Sequence, residues 1–287
     1  AAAVIGLTTG IYRIKDGKWG IIAIDEENSF STRGIDMIDL HTVSADIRTH
    51  DTASEKIEVH LTGATRARQQ ENIPYLSAGQ KDSVLDIHIE RRRKISTGFH
   101  ENHLVLDIGI PRGYQNRLTV KTVSGDVTLT GHNYAGLALT TTSGDMELKQ
   151  IQSGLFRMKT TSGTFIAEKL VTERSELSSV SGDIYITSFL GEAGIKTTSG
   201  DITLDFINFF SPVNIKSTSG DVSLTLPESS GFHLDARSTS GDITCGFPIQ
   251  LSGADTGSDR RTIRGNVGSA INKITVRTVS GEIEITF

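Results

Sequence analysis

The 287-residue chain carries a net charge of −5, with 36% hydrophobic and 6% aromatic residues, 29 glycines and one cysteine. The mild acidity excludes a global attraction to nucleic acid or anionic lipid, and a lone cysteine excludes an internal disulfide. The apolar content is low for one deep core but suits a stack of thin layers, each burying a narrow apolar stripe against its neighbours.

Residues 1–19 form a segment apart. Ala1 to Ile11 is uncharged and is followed by Arg13, Lys15 and Lys18. The run is shorter than the roughly 20 apolar residues of a membrane span. It reads either as the end of a trimmed membrane anchor or signal, or as a first strand. Residues 20–111 are a non-repeating β region. Strand-like runs lie at Gly20 to Ile24, Met37 to Ile47, Lys56 to Leu61, Val84 to Ile89 and His103 to Ile110, and the polar stretch 62–83 is expected to be a loop.

Between the last two runs sits Arg91-Arg92-Arg93-Lys94, a basic cluster. It is a candidate partner-binding patch for a phosphate or an acidic polymer, although a solvated hairpin tip is the simpler reading because no aromatic platform accompanies it. His100 and His103 are three apart, whereas a helical zinc motif needs a spacing of four. No third ligand is evident, so no metal site is expected.

From residue 112 to 287 the chain repeats itself. Ser-Gly pairs recur at Ser124, Ser143, Ser162, Ser181, Ser199, Ser219, Ser240 and Ser280, at intervals of 19, 19, 19, 18, 20, 21 and 40 residues. An outlying copy lies at Thr42-Val43-Ser44-Ala45-Asp46. Before each Ser, apolar residues fall at even offsets (Leu118/Val120, Phe156/Met158), and Thr or Ser always stands two before it. After it they fall at odd offsets (Val127/Leu129, Ile202/Leu204). Side chains alternate along a strand, so one residue of phase is absorbed at Ser-Gly-Asp, as a corner between two strands facing one interior requires. The predicted fold is an all-β, β-helix-like solenoid with coils of about 19 residues. Each coil is a strand, a Ser-Gly-Asp corner, a second strand and a looser return of about seven residues.

Two charged ladders follow. Three before Ser come Lys121, Lys159, Lys196, Lys216, Arg237 and Arg277; two after it come Asp126, Asp145, Asp183, Asp201, Asp221 and Asp242, with Thr164 breaking the acidic row. One carboxylate per corner is sparse for calcium, which gathers six to eight oxygens. The acidic ladder therefore reads as structural, each Asp accepting N–H groups at its own turn.

Residues 248–270 look like a turn-rich loop, and the 40-residue interval before Ser280 implies a degenerate or looped-out coil. Glu282 to Phe287 is expected to end the stack as an open edge strand that needs a cap or a partner. Cys245 falls on an apolar repeat position and reads as a small buried hydrophobe. No nucleophile elbow, phosphate loop or dinucleotide fingerprint is present. No catalytic residue and no cofactor are expected.

Leu106-Asp107-Ile108-Gly109-Ile110-Pro111, then Leu118 to Val127 with its Thr-Val-Ser-Gly-Asp corner, and the closing Val276 to Ile283, resemble the DUF4097 type, a bacterial family of adhesin-like proteins of unknown function. The resemblance spans residues 35–287. It implies a β-solenoid that is extracellular or held at the cell envelope, and it brings no catalytic residues. The sequence departs from the family pattern at Ala45 and Thr164. The expectation is a non-enzymatic surface or envelope protein that binds an envelope protein or a glycan, or takes part in envelope-stress sensing. It does not bind nucleic acid; a membrane tether would be N-terminal, and self-association would use the terminal edge. The alternative is a carbohydrate-active lyase or hydrolase built on a β-helix.

Overall fold

The computed structural model describes residues 7–8, 20–67, 70–91, 102–251 and 261–287. The protein is all β. It divides into two compact units, residues 1–135 with 139–144 and residues 136–138 with 145–287. The one helical element among the described residues is a short 3-10 turn, Gln70–Asn72.

The first unit holds β1 Leu7–Thr8, β2 Gly20–Ser31, β3 Met37–His41, β4 Asp46–Thr52, β5 Lys56–Ala67, β6 Pro74–Lys81, β7 Val84–Arg91, β8 Asn102–Pro111, β9 Arg117–Lys121 and most of β10 Val127–Thr140. Of the N-terminal segment, Leu7 and Thr8 pair with Glu27 and Glu26 of β2 as a short strand, and the rest lies outside the described residues. Three layers stack in parallel. Leu40 of β3 stands between Ile87 of β7 and Val120 of β9, and Ile47 of β4 stands between Leu106 of β8 and Val127 of β10. Residues 37–52, first in sequence, are therefore the middle layer. Alternation turns Ile38, Leu40, Ile47, Leu85, Ile87 and Leu106 inward, all fully buried.

Residues 62–83 are not a loop. β5 runs through to Ala67, pairing with β2 on one edge and β8 on the other, and β6 forms a hairpin with β7 turned at Asp82, whose φ is 54°. Pairing along both edges, with Thr65 turned inward, outweighs the weak hydrophobicity of the stretch, because strand preference is set largely by neighbouring strands.

The second unit holds β11 Met146–Thr160, β12 Phe165–Ser179, β13 Ile184–Thr197, β14 Ile202–Phe206, β15 Val213–Lys216, β16 Val222–Thr225, β17 Phe232–Ser238, β18 Ile243–Cys245, β19 Gln250–Leu251, β20 Thr262–Val267, β21 Asn272–Thr278 and β22 Ile283–Thr286. Met146 pairs with Phe165, Phe165 with Ile184, Ile184 with Ile202 and Ile202 with Val222, all in parallel. The looser return is absent from β11, β12 and β13, each of which is one long strand. The chain turns instead at a single left-handed residue: Gln150, Lys169 and Ser188 have φ of 55°, 58° and 57°. Each lies seven residues after its corner Ser.

The 40-residue interval holds an antiparallel excursion, β19 and β20, in place of a coil. Arg277 of β21 pairs with Lys216 of β15 on one side and with Arg237 of β17 on the other. Ile285 of β22 likewise pairs with Leu224 of β16 and Cys245 of β18. The chain first lays down the β17–β18 layer, turns back through β19 and β20, and then inserts its last layer beneath. β22 is thus an interior strand rather than an open edge. The expected loop 248–270 contributes β20, which pairs antiparallel with the outer side of β17 and with β19; residues 252–260 lie outside the described residues. Six phenylalanines run through these layers edge to face. Successive ring centroids of Phe189, Phe206, Phe209, Phe232, Phe247 and Phe287 are 5.3, 5.4, 6.1, 5.2 and 5.4 Å apart.

Candidate functional site

At four of the corners the inward Thr or Ser two places before the corner Ser caps the turn, whereas the buried Ser217 and Thr278 hydroxyls in the equivalent places make no hydrogen bond to the described residues. Thr122 Oγ1 accepts the N–H of Gly125 at 3.1 Å, Thr141 that of Gly144 at 3.0 Å, Thr160 that of Gly163 at 3.0 Å, and Ser179 that of Gly182 at 2.9 Å. The corner carboxylates reach across layers rather than within their own turns. Asp126 N–H donates to Asp46 Oδ1 at 3.1 Å in the first unit. In the second unit the N–H groups of Thr164, Asp201, Asp221 and Glu282 donate to Oδ1 of Asp145, Asp183, Asp201 and Asp221 at 2.8–2.9 Å. Thr164 thus still receives the carboxylate of the layer beside it. A carboxylate fixed by an amide of the next layer offsets the repulsion between stacked like charges. No group of three or more His, Cys, Asp and Glu able to hold a metal occurs among the described residues.

Of the basic cluster, Arg91 lies exposed at the end of β7. Arg92, Arg93 and Lys94 lie outside the described residues, as does His100. His103 is exposed on β8. Cys245 is half-buried on β18 rather than fully enclosed, and burial pushes its thiol pKa up.

A polar cluster that sequence reading missed lies in the first unit. His132, on β10 and 6% exposed, has Nε2 2.6 Å from Tyr114 O and Nδ1 against Asp51 Oδ1. Tyr134 is packed beside it, ring centroids 4.5 Å apart, and burial raises its hydroxyl pKa. Asp51 and His132 are 81 residues apart, and only the stacking of the middle layer on β10 brings them together. Both ring nitrogens of His132 are engaged, which fixes it as a polar insert beside Tyr134 in the core.

The cationic ladder differs between units. In the first, Lys121 Nζ lies 3.6 Å from Asp39. In the second, on the outer faces of β13, β15, β21 and β17, Lys196, Lys216, Arg277 and Arg237 are consecutive neighbours. Arg277 donates to both carboxylate oxygens of Asp235 at 2.9 and 2.7 Å, and Arg264 of β20 adds a third bond at 3.0 Å. The Arg277 hydrogen bond, reinforced by Arg264, holds the Asp235 carboxyl well below the ordinary carboxylate range. A depressed folded-state pKa contributes stability above the unfolded value, near 4, that is lost as pH falls through the folded value. Asp235→Asn should therefore cost about 2–3 kcal/mol at pH 7, less than a fully buried pair because both arginines are partly exposed. In urea unfolding the gap between native and variant proteins should narrow below pH 4.

Strands stacked in parallel register, several of them 18–20 residues apart in sequence, define an all-β protein. The chain belongs to the DUF4097 family: the family model described as Toastrack DUF4097 matches residues 35–286. Among solved structures it is similar in fold to a putative adhesin from Bacteroides fragilis, at 16% identity and a TM-score of 0.50, over 94% of this chain and 98% of that one. It is also similar to a putative adhesin from Parabacteroides merdae, at 10% identity and a TM-score of 0.47, over 94% and 96%. Against curated proteins nothing matches. No helix among the described residues is long and apolar enough to cross a membrane.

Proposed function

We propose that the protein is a non-enzymatic β-solenoid of the bacterial surface or cell envelope. In this reading the Ser-Gly-Asp corners wind coils of about 19 residues, and the outer strand faces and non-repeating segments meet a partner, either an envelope protein or a glycan. A part in envelope-stress sensing is compatible with it. The observation that carries the reading is how the polar groups are used. The corner hydroxyls of Thr122, Thr141, Thr160 and Ser179 hold turns and the carboxylates of Asp46, Asp145, Asp183, Asp201 and Asp221 join layers, while Lys196, Lys216 and Arg237 stand exposed on an outer face without an ion pair to the described residues. Arg91 to Lys94 are a second candidate contact. The name of the Bacteroides fragilis neighbour, an adhesin, agrees with a surface role.

A polysaccharide-cleaving reading finds no such support. It needs two carboxylates free across a cleft, whereas Asp46, Asp145, Asp183, Asp201 and Asp221 each accept an amide N–H. The test pairs a binding assay with a turnover assay. The protein should co-fractionate with the bacterial envelope and be retained by a glycan or protein from it, leaving polysaccharides uncut. Reproducible lyase or hydrolase activity on a polysaccharide panel would overturn the proposal.

A further inference from the structure

Resting on the display reading above, we propose that the row Lys196–Lys216–Arg277–Arg237 binds a linear acidic polysaccharide lying across the strands, along the stacking direction. Four observations carry this. First, the four cations occupy adjacent strands in register, so their backbones repeat at about 4.8 Å. An extended polyuronate chain presents one carboxylate per sugar at a comparable advance. Second, insertion of the last layer out of chain order sets the order of the row and places Arg277, tied to Asp235, inside it. Arg277 follows Arg237 in sequence but lies between it and Lys216 in space.

Third, the rows beside it carry almost no competing charge. On one side stand Thr198, Thr218, Val279 and Thr239, on the other Gly194, Asn214, Thr275 and Asp235. Asp235, the one acid, is held by Arg277 and Arg264. Hydroxyl and amide groups flanking a line of cations match a chain of sugars that carries both hydroxyls and carboxylates. Further along the same face, toward β11, the character changes: Arg157 and Arg174 share the carboxylate of Glu176 at 2.9 and 3.1 Å, and Ser178 interrupts the cation row. The binding stretch is thus confined to the four strands from β13 to β17.

Fourth, the row lacks what other polyanions would use. Single-stranded nucleic acid is gripped by aromatic side chains on which bases stack, and neither this row nor its two flanking rows contain an aromatic residue. Arg277, shared with Asp235, is the fixed centre of the row. Lys196 and Lys216 are the mobile ammonium groups that follow successive carboxylates, and Arg237 offers a planar fork for a bidentate contact.

The experiment uses polygalacturonate as the probe, with its fully methyl-esterified form as the neutral control, on the full chain by affinity electrophoresis and titration calorimetry. The native protein should bind polygalacturonate and not the ester, and binding should weaken with added salt. The double variant K196Q/K216Q, whose fold is checked by circular dichroism, should bind about tenfold more weakly, as expected for losing two charge-assisted contacts. K81Q, on β6, should bind as the native protein does. Three results would overturn the row: no binding, undiminished binding by the double variant, or tighter binding of a single-stranded oligonucleotide or phosphatidylserine vesicles at equal charge concentration. If polygalacturonate is not bound while a neutral glycan or an envelope protein is retained, the display reading stands and the row falls. Cleavage of the probe would instead defeat the display reading itself.

Discussion

Phe232→Ala is expected to destabilise the protein by about 4 kcal/mol, the cost of emptying a fully enclosed aromatic site in a core that relaxes only partly. Phe232 is completely buried and stands fourth in the edge-to-face series, 6.1 Å from Phe209 and 5.2 Å from Phe247. Its strand is held on both sides, by β21 and β20, so the cavity has little room to collapse. Phe287 closes the same series but is 61% exposed. Its replacement by Ala should cost less than about 1 kcal/mol, because most of its surface is already in water. Chemical denaturation of the two variants beside the native protein checks the contrast. Equal costs would show that enclosure within the layers is not what sets the value.

Gly220→Ala is expected to cost about 3 kcal/mol, for two reasons that add at one site. The residue sits at φ +127°, and a Cβ there would lie 2.3 Å from the carbonyl oxygen of Gly200 in the next layer. The closeness is common to the corners: the equivalent atom on Gly125 would meet Ala45 O at 2.0 Å, and on Gly182 would meet Gly163 O at 2.0 Å. These corner glycines are thus required by the layer on one side of them. Ala45 is the informative exception. It is the acceptor in that contact, and the layer on its other side is β8, which carries no Ser-Gly-Asp turn. Ala45→Gly should shift stability by no more than about 1 kcal/mol. A comparable loss in both variants would mean that corner glycines serve the turn alone and not the contact between layers.

Much of this was legible in the sequence because a repeat shows each physical constraint many times over. The even and odd offsets on either side of Ser-Gly-Asp marked the apolar residues that the structure buries, and the Thr or Ser two before each corner Ser is buried as well. Four things escaped. The second bend falls on Gln150, Lys169 and Ser188, residues with no special liking for a left-handed backbone, so composition carries no trace of it. The acidic ladder was read as serving its own turns, because a carboxylate's local partners can be guessed from sequence whereas its partners one layer away cannot. The layer order was hidden because sequence shows spacing, and stacking order depends on which edges remain open when the chain returns. The His132–Asp51 contact had no local signal either, since it exists only where two distant layers meet. The candidate binding row was half visible: its cations stood in the ladder, but their adjacency depends on the order of the layers.

The insertion of β21 and β22 between layers made earlier in the chain has a consequence for biosynthesis. As the polypeptide emerges from the ribosome, residues 232–245 are complete before the strands that will separate them from residues 213–225 exist. This end of the stack cannot be finished coil by coil in the direction of translation. It closes only when the final strands slot into place, a long-range step that is slow for topological reasons. Loss of those strands would not shorten the stack by one turn. It would remove a layer from its interior and leave the β17–β18 layer without the surface on which it rests.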